Sequence, residues 1–326
     1  MAHLATNRFN YWNQLAVLVG LIGVGLIIGG AIALILPFIV NLDAGIKMST
    51  NSAQLMENLL KPENAALLRW ITFLTSFFMF FLPTVLYAFI CHKKPFVHLG
   101  FKHNSNIKSA GVVILIMLAA LPLVSALQEL TTLFPWSKAT LLKFKLAEDA
   151  YNEQVAVIAR MDNFTDYILS VVVIAFLPAL FEETLFRGGI QNLLSRWFKK
   201  PLLAIIVTSI VFSAIHGSYL GFLSRFALGF VLGWIYYRTG NIWLNIIGHF
   251  FNNAFAVTAM YLFTKAGEHP DPSKIDGQIP LWVGLASVAA LYGLFSFFNK
   301  VSEKEIDQPG VELMMPGVEN NHKPFN

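Results

Sequence analysis

Apolar runs about as long as the ~20 residues that a helix needs to cross ~30 Å of hydrocarbon recur through this sequence, and nothing else constrains its fold as strongly. About eight are present, near 13 to 41, 67 to 91, 109 to 135, 166 to 198, 201 to 217, 220 to 237, 241 to 264 and 280 to 299. Inside a bilayer each run has to satisfy its own backbone hydrogen bonds. The pattern therefore predicts an all-α, polytopic helical bundle with about eight transmembrane helices. Of the 326 residues, 56% are hydrophobic and only 13% charged, against about 25% charge in a soluble chain. The partner implied for most of the chain is the lipid bilayer. The first run is longer than the ~7 to 15 residues of a signal-peptide core and reads as a retained helix.

Basic residues gather in alternate connections: Lys93, Lys94, Lys102 and Lys108, then Arg196, Lys199 and Lys200, then Arg238. By the positive-inside rule both termini are expected in the cytoplasm. Lys138, Lys143, Lys145 and Arg160 lie on the opposite side and pull against that assignment. The connection after the seventh run mixes Glu268, Asp271 and Asp276 with Lys265 and Lys274 and adds little. The net charge of +4, with no basic run interleaved with aromatics, gives no nucleic-acid footprint. A single cysteine, Cys91, excludes an internal disulfide and a cysteine-based zinc site. Four parts follow: residues 1–165 with three helices and an external stretch, Leu141 to Met161, that reads as a surface amphipathic helix; a core at 166–264; a loop and last helix at 265–299; and a polar tail at 300–326, expected to be disordered in the cytoplasm. The last third of the fourth run, Gln191 to Lys200, is expected to run out through the interface.

Glu182, Glu183 and Arg187 interrupt the fourth run at mid-depth. Ionisable side chains there are costly unless paired or facing a hydrated cavity, which makes them functional candidates. Glu183 and Arg187 stand four apart, on one helix face and in the favourable order, so they are expected to neutralise each other. Glu182 is rotated by about 100° and is left free for chemistry. Pro178 has no N–H for the Ile174 carbonyl and favours a kink beside Glu182. His216 lies about 15 residues up the next helix, roughly 22 Å, close to the depth of Glu182. His249 is only about 8 residues from its turn, a poorer match. Asn253 and Asn245 share the face of His249.

A carboxylate and an imidazole can activate a water, and a histidine with a carboxamide can donate to an oxyanion. That set suits hydrolysis of an acyl compound, most simply a peptide bond. Ser213, near His216, is a rival nucleophile without the sharp turn that such a serine needs. Glu182, His216 and His249 would also suffice as zinc ligands, with Glu183 as base, although no HExxH motif is present. No cofactor is favoured, and zinc is the alternative. Gly229 with Gly233 reads as a close helix contact, and Trp12, Trp70, Trp136, Trp243 and Trp282 read as interfacial anchors.

The stretches FEETLFRGG (Phe181 to Gly189), FSAIH (Phe212 to His216) and HFFNN (His249 to Asn253) resemble, in order, the EExxxR, FxxxH and HxxxN signatures of the CPBP family, which includes the CAAX prenyl endopeptidases and bacterial Abi-type relatives. The resemblance covers about Tyr167 to Phe263. It implies an eight-helix intramembrane protease with Glu182, His216, His249 and Asn253 in catalytic positions and Glu183 and Arg187 beside them. It also implies a peptide or membrane-protein substrate, and a place in a bacterial-type cytoplasmic membrane. Two other classes stay open: an inactive scaffold or immunity-type protein of the same fold, and a transporter with an intramembrane Glu/His pathway.

Overall fold

The computed structural model describes residues 9–40, 57–102, 106–267 and 279–306. The described residues are helical throughout, joined by short turns. In chain order the helices are α1 (Tyr11–Val40), α2 (Pro62–Cys91), α3 (Ile107–Leu133), α4 (Lys138–Ile158), α5 (Phe164–Phe198), α6 (Pro201–Ala214), α7 (Phe222–Thr239), α8 (Ile242–Lys265) and α9 (Leu281–Ile306). Each of the eight apolar runs is a helix. Six of them, α1, α2, α3, α5, α8 and α9, are long and apolar enough to span a membrane. Helix α6, with 14 residues, reaches only about 21 Å, and α7 carries Arg225 and Arg238 within 18 residues. The chain is a multi-pass membrane protein, and the two short helices sit between the crossers.

Local sequence explains where the helices start and stop. Asn106, Ser137, Asn163 and Asn241 each cap the following helix by accepting a backbone N–H. Pro201 opens α6 at a position where its missing N–H costs nothing. Gly240, at φ 54°, closes α7 in the left-handed conformation. The outward faces remain apolar, with Ile27, Leu34, Trp70, Leu285 and Tyr292 exposed, as expected of lipid-facing helices.

Two cores hold the bundle. Val113, Ile116 and Met117 of α3 pack with Leu232, Leu244 and Phe298 of α7, α8 and α9. Leu18, Tyr87, Leu185 and Phe186 join α1, α2 and α5. Gly229 and Gly233 let α7 press on α6: a Cβ on Gly233 would lie 2.8 Å from Ile205, and one on Gly229 3.2 Å from Phe212. The small-residue pair is thus a packing device, as the sequence suggested.

The end of α5, expected to run out through the interface, is covered by other parts of the chain: Asn192, Leu193, Leu194, Ser195 and Arg196 are all buried, with Asn192 Nδ2 on the His98 carbonyl at 2.7 Å and Trp197 packed near Tyr11 and Trp12. One expectation needs correcting. Helix α9 continues to Ile306, so the first residues assigned to the polar tail are helical. The rest of that tail, and Glu268, Asp271, Lys274 and Asp276, lie outside the described residues.

Candidate active site

Helix α5 carries the acidic pair through an unusual winding. Val171–Phe176 and Thr184–Gln191 are π-wound, flanking the short α-helical stretch Leu177–Glu183. Wide turns of this kind are rare and concentrate at functional sites. The first one accommodates Pro178, since Leu177 already reaches back five residues to the Val172 carbonyl. Pro178 itself has no N–H to offer Ile174, and it is the Ile174 carbonyl that receives Asn253 Nδ2 at 3.5 Å.

Glu183 and Arg187 form the expected pair, Arg187 Nε donating to Glu183 Oε2 at 2.9 Å with both side chains fully buried. The guanidinium carbon lies 5.6 Å from the centre of the Phe212 ring. The sequence did not reveal the other half of Glu183: its Oε1 accepts from His249 Nδ1 at 3.0 Å. Glu183 therefore bridges Arg187 on its own helix to His249 on α8. Because an ionised carboxylate only accepts, His249 carries its proton on Nδ1 and aims Nε2 elsewhere.

That direction is Glu182. His249 Nε2 stands 3.9 Å from Glu182 Oε2, and His216 Nε2 stands 4.0 Å from the same oxygen. His216 lies just past the end of α6, on the turn after Ala214, and its Nδ1 sits 2.7 Å from the Phe212 carbonyl. A carbonyl can only accept, so Nδ1 holds the proton and Nε2 presents a lone pair. Glu182 Oε2 is buried and has no hydrogen-bond partner among the described residues.

The depth mismatch of His249 has a structural answer. The turn from α7 to α8 is itself buried, with Thr239 and Asn241 both 1% exposed, Lys102 Nζ on the Thr239 carbonyl at 2.8 Å and Ile242 N on the Gly100 carbonyl at 2.9 Å. The chain leading from α2 to α3 covers this turn, so α8 starts inside the protein and eight residues suffice to reach Glu182.

Glu182, His216, His249, Asn252 and Asn253 line one cavity of about 700 Å³. Its other walls include the middle of α2, from Ile71 to Phe80, the second half of α3 and residues of α4. Helix α4, expected as a surface amphipathic helix, is therefore also the cover of the cavity. Tyr219 stacks on Phe144 at 4.5 Å and Ser218 Oγ donates to Glu148 at 2.5 Å, pinning α4 over the turn that bears His216. Ser213 is spoken for, its hydroxyl donating to the Phe222 carbonyl at 2.6 Å. Asn245 ties α8 to α7 through the Leu232 carbonyl at 2.6 Å. Neither Asn252 nor Arg225, which also lines the cavity, was singled out from sequence. The one visible signal was a lone arginine in the first turn of an apolar helix.

Glu182, His216 and His249 offer the O, N, N donor set that zinc accepts. Bonds of 2.0–2.1 Å around a tetrahedral zinc would place donors about 3.3 Å apart. The two separations from Glu182 Oε2 exceed this, and among the described residues no group of three or more His, Cys, Asp or Glu is placed to hold a metal.

Residues 164–255 match the family described as type II CAAX prenyl endopeptidase Rce1-like. Over this segment the chain is similar to the CPBP family, which includes the CAAX prenyl endopeptidases. Among curated proteins, the chain is 29% identical over 106 residues to an uncharacterized protein, YpbD, of Bacillus subtilis (strain 168); the match covers 31% of this chain and 51% of that protein. The chain thus spans about half the length of this relative. No solved structure matches.

Proposed function

We propose that the protein is an intramembrane endopeptidase that hydrolyses a peptide bond with a water activated by Glu182 and His216. One observation carries the reading: a buried carboxylate oxygen, unpartnered, stands about one water's reach from two imidazole nitrogens. A water lodged there gives a proton to Glu182 or to the lone pair of His216 as its oxygen attacks the peptide carbonyl carbon. The oxyanion so formed accepts from Asn253 Nδ2 and from His249 once Nε2 is protonated. Collapse of the tetrahedral intermediate breaks the C–N bond and returns the proton to the leaving amine. Glu183 orients the His249 ring, and Arg187 neutralises Glu183. The match of residues 164–255 to the family described as type II CAAX prenyl endopeptidase Rce1-like supports the same reading.

The reaction so described needs no resident metal, and the spacing of the three donors favours that version. Elemental analysis of purified protein should find well below one zinc per chain, with activity surviving chelator. A stoichiometric zinc lost and regained together with activity would reverse this choice. The substrate is a peptide or membrane-protein segment of which a part fits the cavity. The cavity reaches from mid-helix, at Met79 and Glu182, to α4 and the turn bearing His216, on the side opposite Lys199 and Arg238. With the basic end and both termini cytoplasmic, in a bacterial-type cytoplasmic membrane, substrate enters from the outer side. The test is cleavage of a membrane-proteome peptide library in liposomes by wild type and Glu182→Gln. Cleavage by neither protein would leave the scaffold and transporter readings as the better ones, and equal cleavage by both would remove Glu182 from the chemistry.

A further inference from the structure

Arg225 belongs to no part of the proposed chemistry, yet it lines the same cavity as Glu182 and His216. Its position is poor for stability. It stands in the first turn of α7, where the partial positive charge of the helix end repels a cation. It also stands in a largely apolar cavity of a membrane protein, where an unpaired guanidinium is costly. Its Nη1 is buried without a hydrogen-bond partner, and it makes no ion pair among the described residues. The carboxylate on the facing helix, Glu148, takes its hydrogen bond from Ser218 instead.

The arginine is nevertheless held in place. Its guanidinium carbon lies 5.3 Å from the centre of the Tyr151 ring on α4. Gly221 leaves room for it: a Cβ there would come within 2.1 Å of Nη1 and 3.0 Å of Cζ. A planar cation held by a ring and a glycine, with Nη1 unpartnered, is built for an anion that arrives from outside. Two parallel N–H donors match a carboxylate.

We propose that Arg225 is a specificity residue that binds a carboxylate of the substrate within the cavity, carried either by the chain terminus or by an Asp or Glu side chain. This rests on the endopeptidase reading only for the word substrate; binding can be measured without cleavage. The probes are three forms of one apolar, fluorescein-labelled octapeptide: the free acid, the C-terminal amide, and the amide with one Glu near its end. Each is titrated against the full chain in detergent by anisotropy. At least one carboxylate-bearing form should bind wild type about tenfold or more tightly than the plain amide. Which form it is identifies the source of the carboxylate. Arg225→Gln should bring that ratio close to one, and Arg225→Lys should keep part of it. Gly221→Ala, which displaces the guanidinium without removing its charge, should lower it as well. A wild type with no preference for carboxylate, or no saturable binding, overturns the proposal, and so does a ratio that survives in Arg225→Gln. Absence of hydrolysis by wild type in parallel reactions would count against the endopeptidase reading alone.

Discussion

Helix α5 carries two buried polar clusters about two turns apart, and they are organised in opposite ways. In the C-terminal cluster, side chains end mostly on backbone. Gln191 donates to the Gly233 carbonyl at 2.8 Å and Asn192 to the His98 carbonyl at 2.7 Å, while Arg196 is held by Asn192 and Gln14. In the cluster at Glu182, Glu183 and Arg187, side chains converge on one another, and one oxygen is left over beside a cavity. Buried polarity in a membrane protein is therefore not itself a sign of chemistry. The first cluster welds α5 to α7 and to the turn before α3, and although its Gln191 Oε1 is also unpartnered, it is the unpartnered oxygen of Glu182 that belongs to a residue lining the cavity, where a reaction can use it.

The sharpest way to break this contrast is to neutralise Glu182. Glu182→Gln should lower turnover by about 10²- to 10⁴-fold while leaving the thermal unfolding midpoint in detergent unchanged, because nothing hydrogen-bonds to its buried oxygen. Retention of most activity would remove Glu182 from the chemistry. Glu183→Gln should do something different, since it strands Arg187 and loosens His249. Removal of one partner from such a buried pair costs about 3 to 5 kcal/mol, so both stability and activity should fall. An unchanged unfolding midpoint would show that the pair contributes little.

Asn253→Ala should reduce kcat by about 10²- to 10³-fold with little change in KM, as expected for a donor that acts only when charge develops. A rise confined to KM would place Asn253 in substrate binding. On the other side of the comparison, Gln191→Ala removes the side-chain donor to the Gly233 carbonyl, which keeps its helical bond, and should cost about 0.5 to 1.5 kcal/mol of stability. The kcat of the folded fraction should not change, and a selective loss of kcat would erase the distinction between the clusters.

The smallest effect concerns pH. Burial, with Arg196 and His92 beside it, pushes the His98 imidazole well below its ordinary range. Its unfolded form takes up a proton below about pH 6.5 while the folded form does not. The unfolded state then binds more protons, so His98 lowers stability as pH falls through that value. His98→Phe should flatten the pH dependence of the unfolding midpoint between about pH 5 and 6.5.

Much of this was legible before any coordinates. The apolar runs fixed the helices because a bilayer leaves the backbone no alternative, and the four-residue spacing of Glu183 and Arg187 fixed their pairing because both lie on one helix. What stayed hidden involved contacts between distant segments. The bond from His249 to Glu183 joins residues 66 positions apart. The depth of His249 depends on a turn covered by Gly100 and Lys102, and no property of the turn's own sequence records that cover. Helix α4 looked like a surface helix, and its outer face is one, but periodicity alone does not report that its other face closes a cavity. The cover over the end of α5 was hidden for a similar reason: Asn192, Ser195 and Arg196 carry no mark in their own sequence of the α1 and Pro95–His98 contacts that bury them.

The π-wound stretch before Pro178 has a consequence for how this chain tolerates change. A wide turn holds one residue more than an α-helical turn would need, so deleting one residue within Val171–Phe176 would let the helix rewind and still leave it long enough to cross. The stretches on either side would keep nearly the same faces, because the extra residue is what the wide turn absorbs. Glu182, Glu183 and Arg187 would keep their mutual spacing, and every signature residue would still be present in order. Yet the regular winding would press the Pro178 ring against the carbonyl four residues before it, one turn from Glu182. In this helix a one-residue length change would strain a site that many substitutions spare, with no trace of the strain in the motifs themselves.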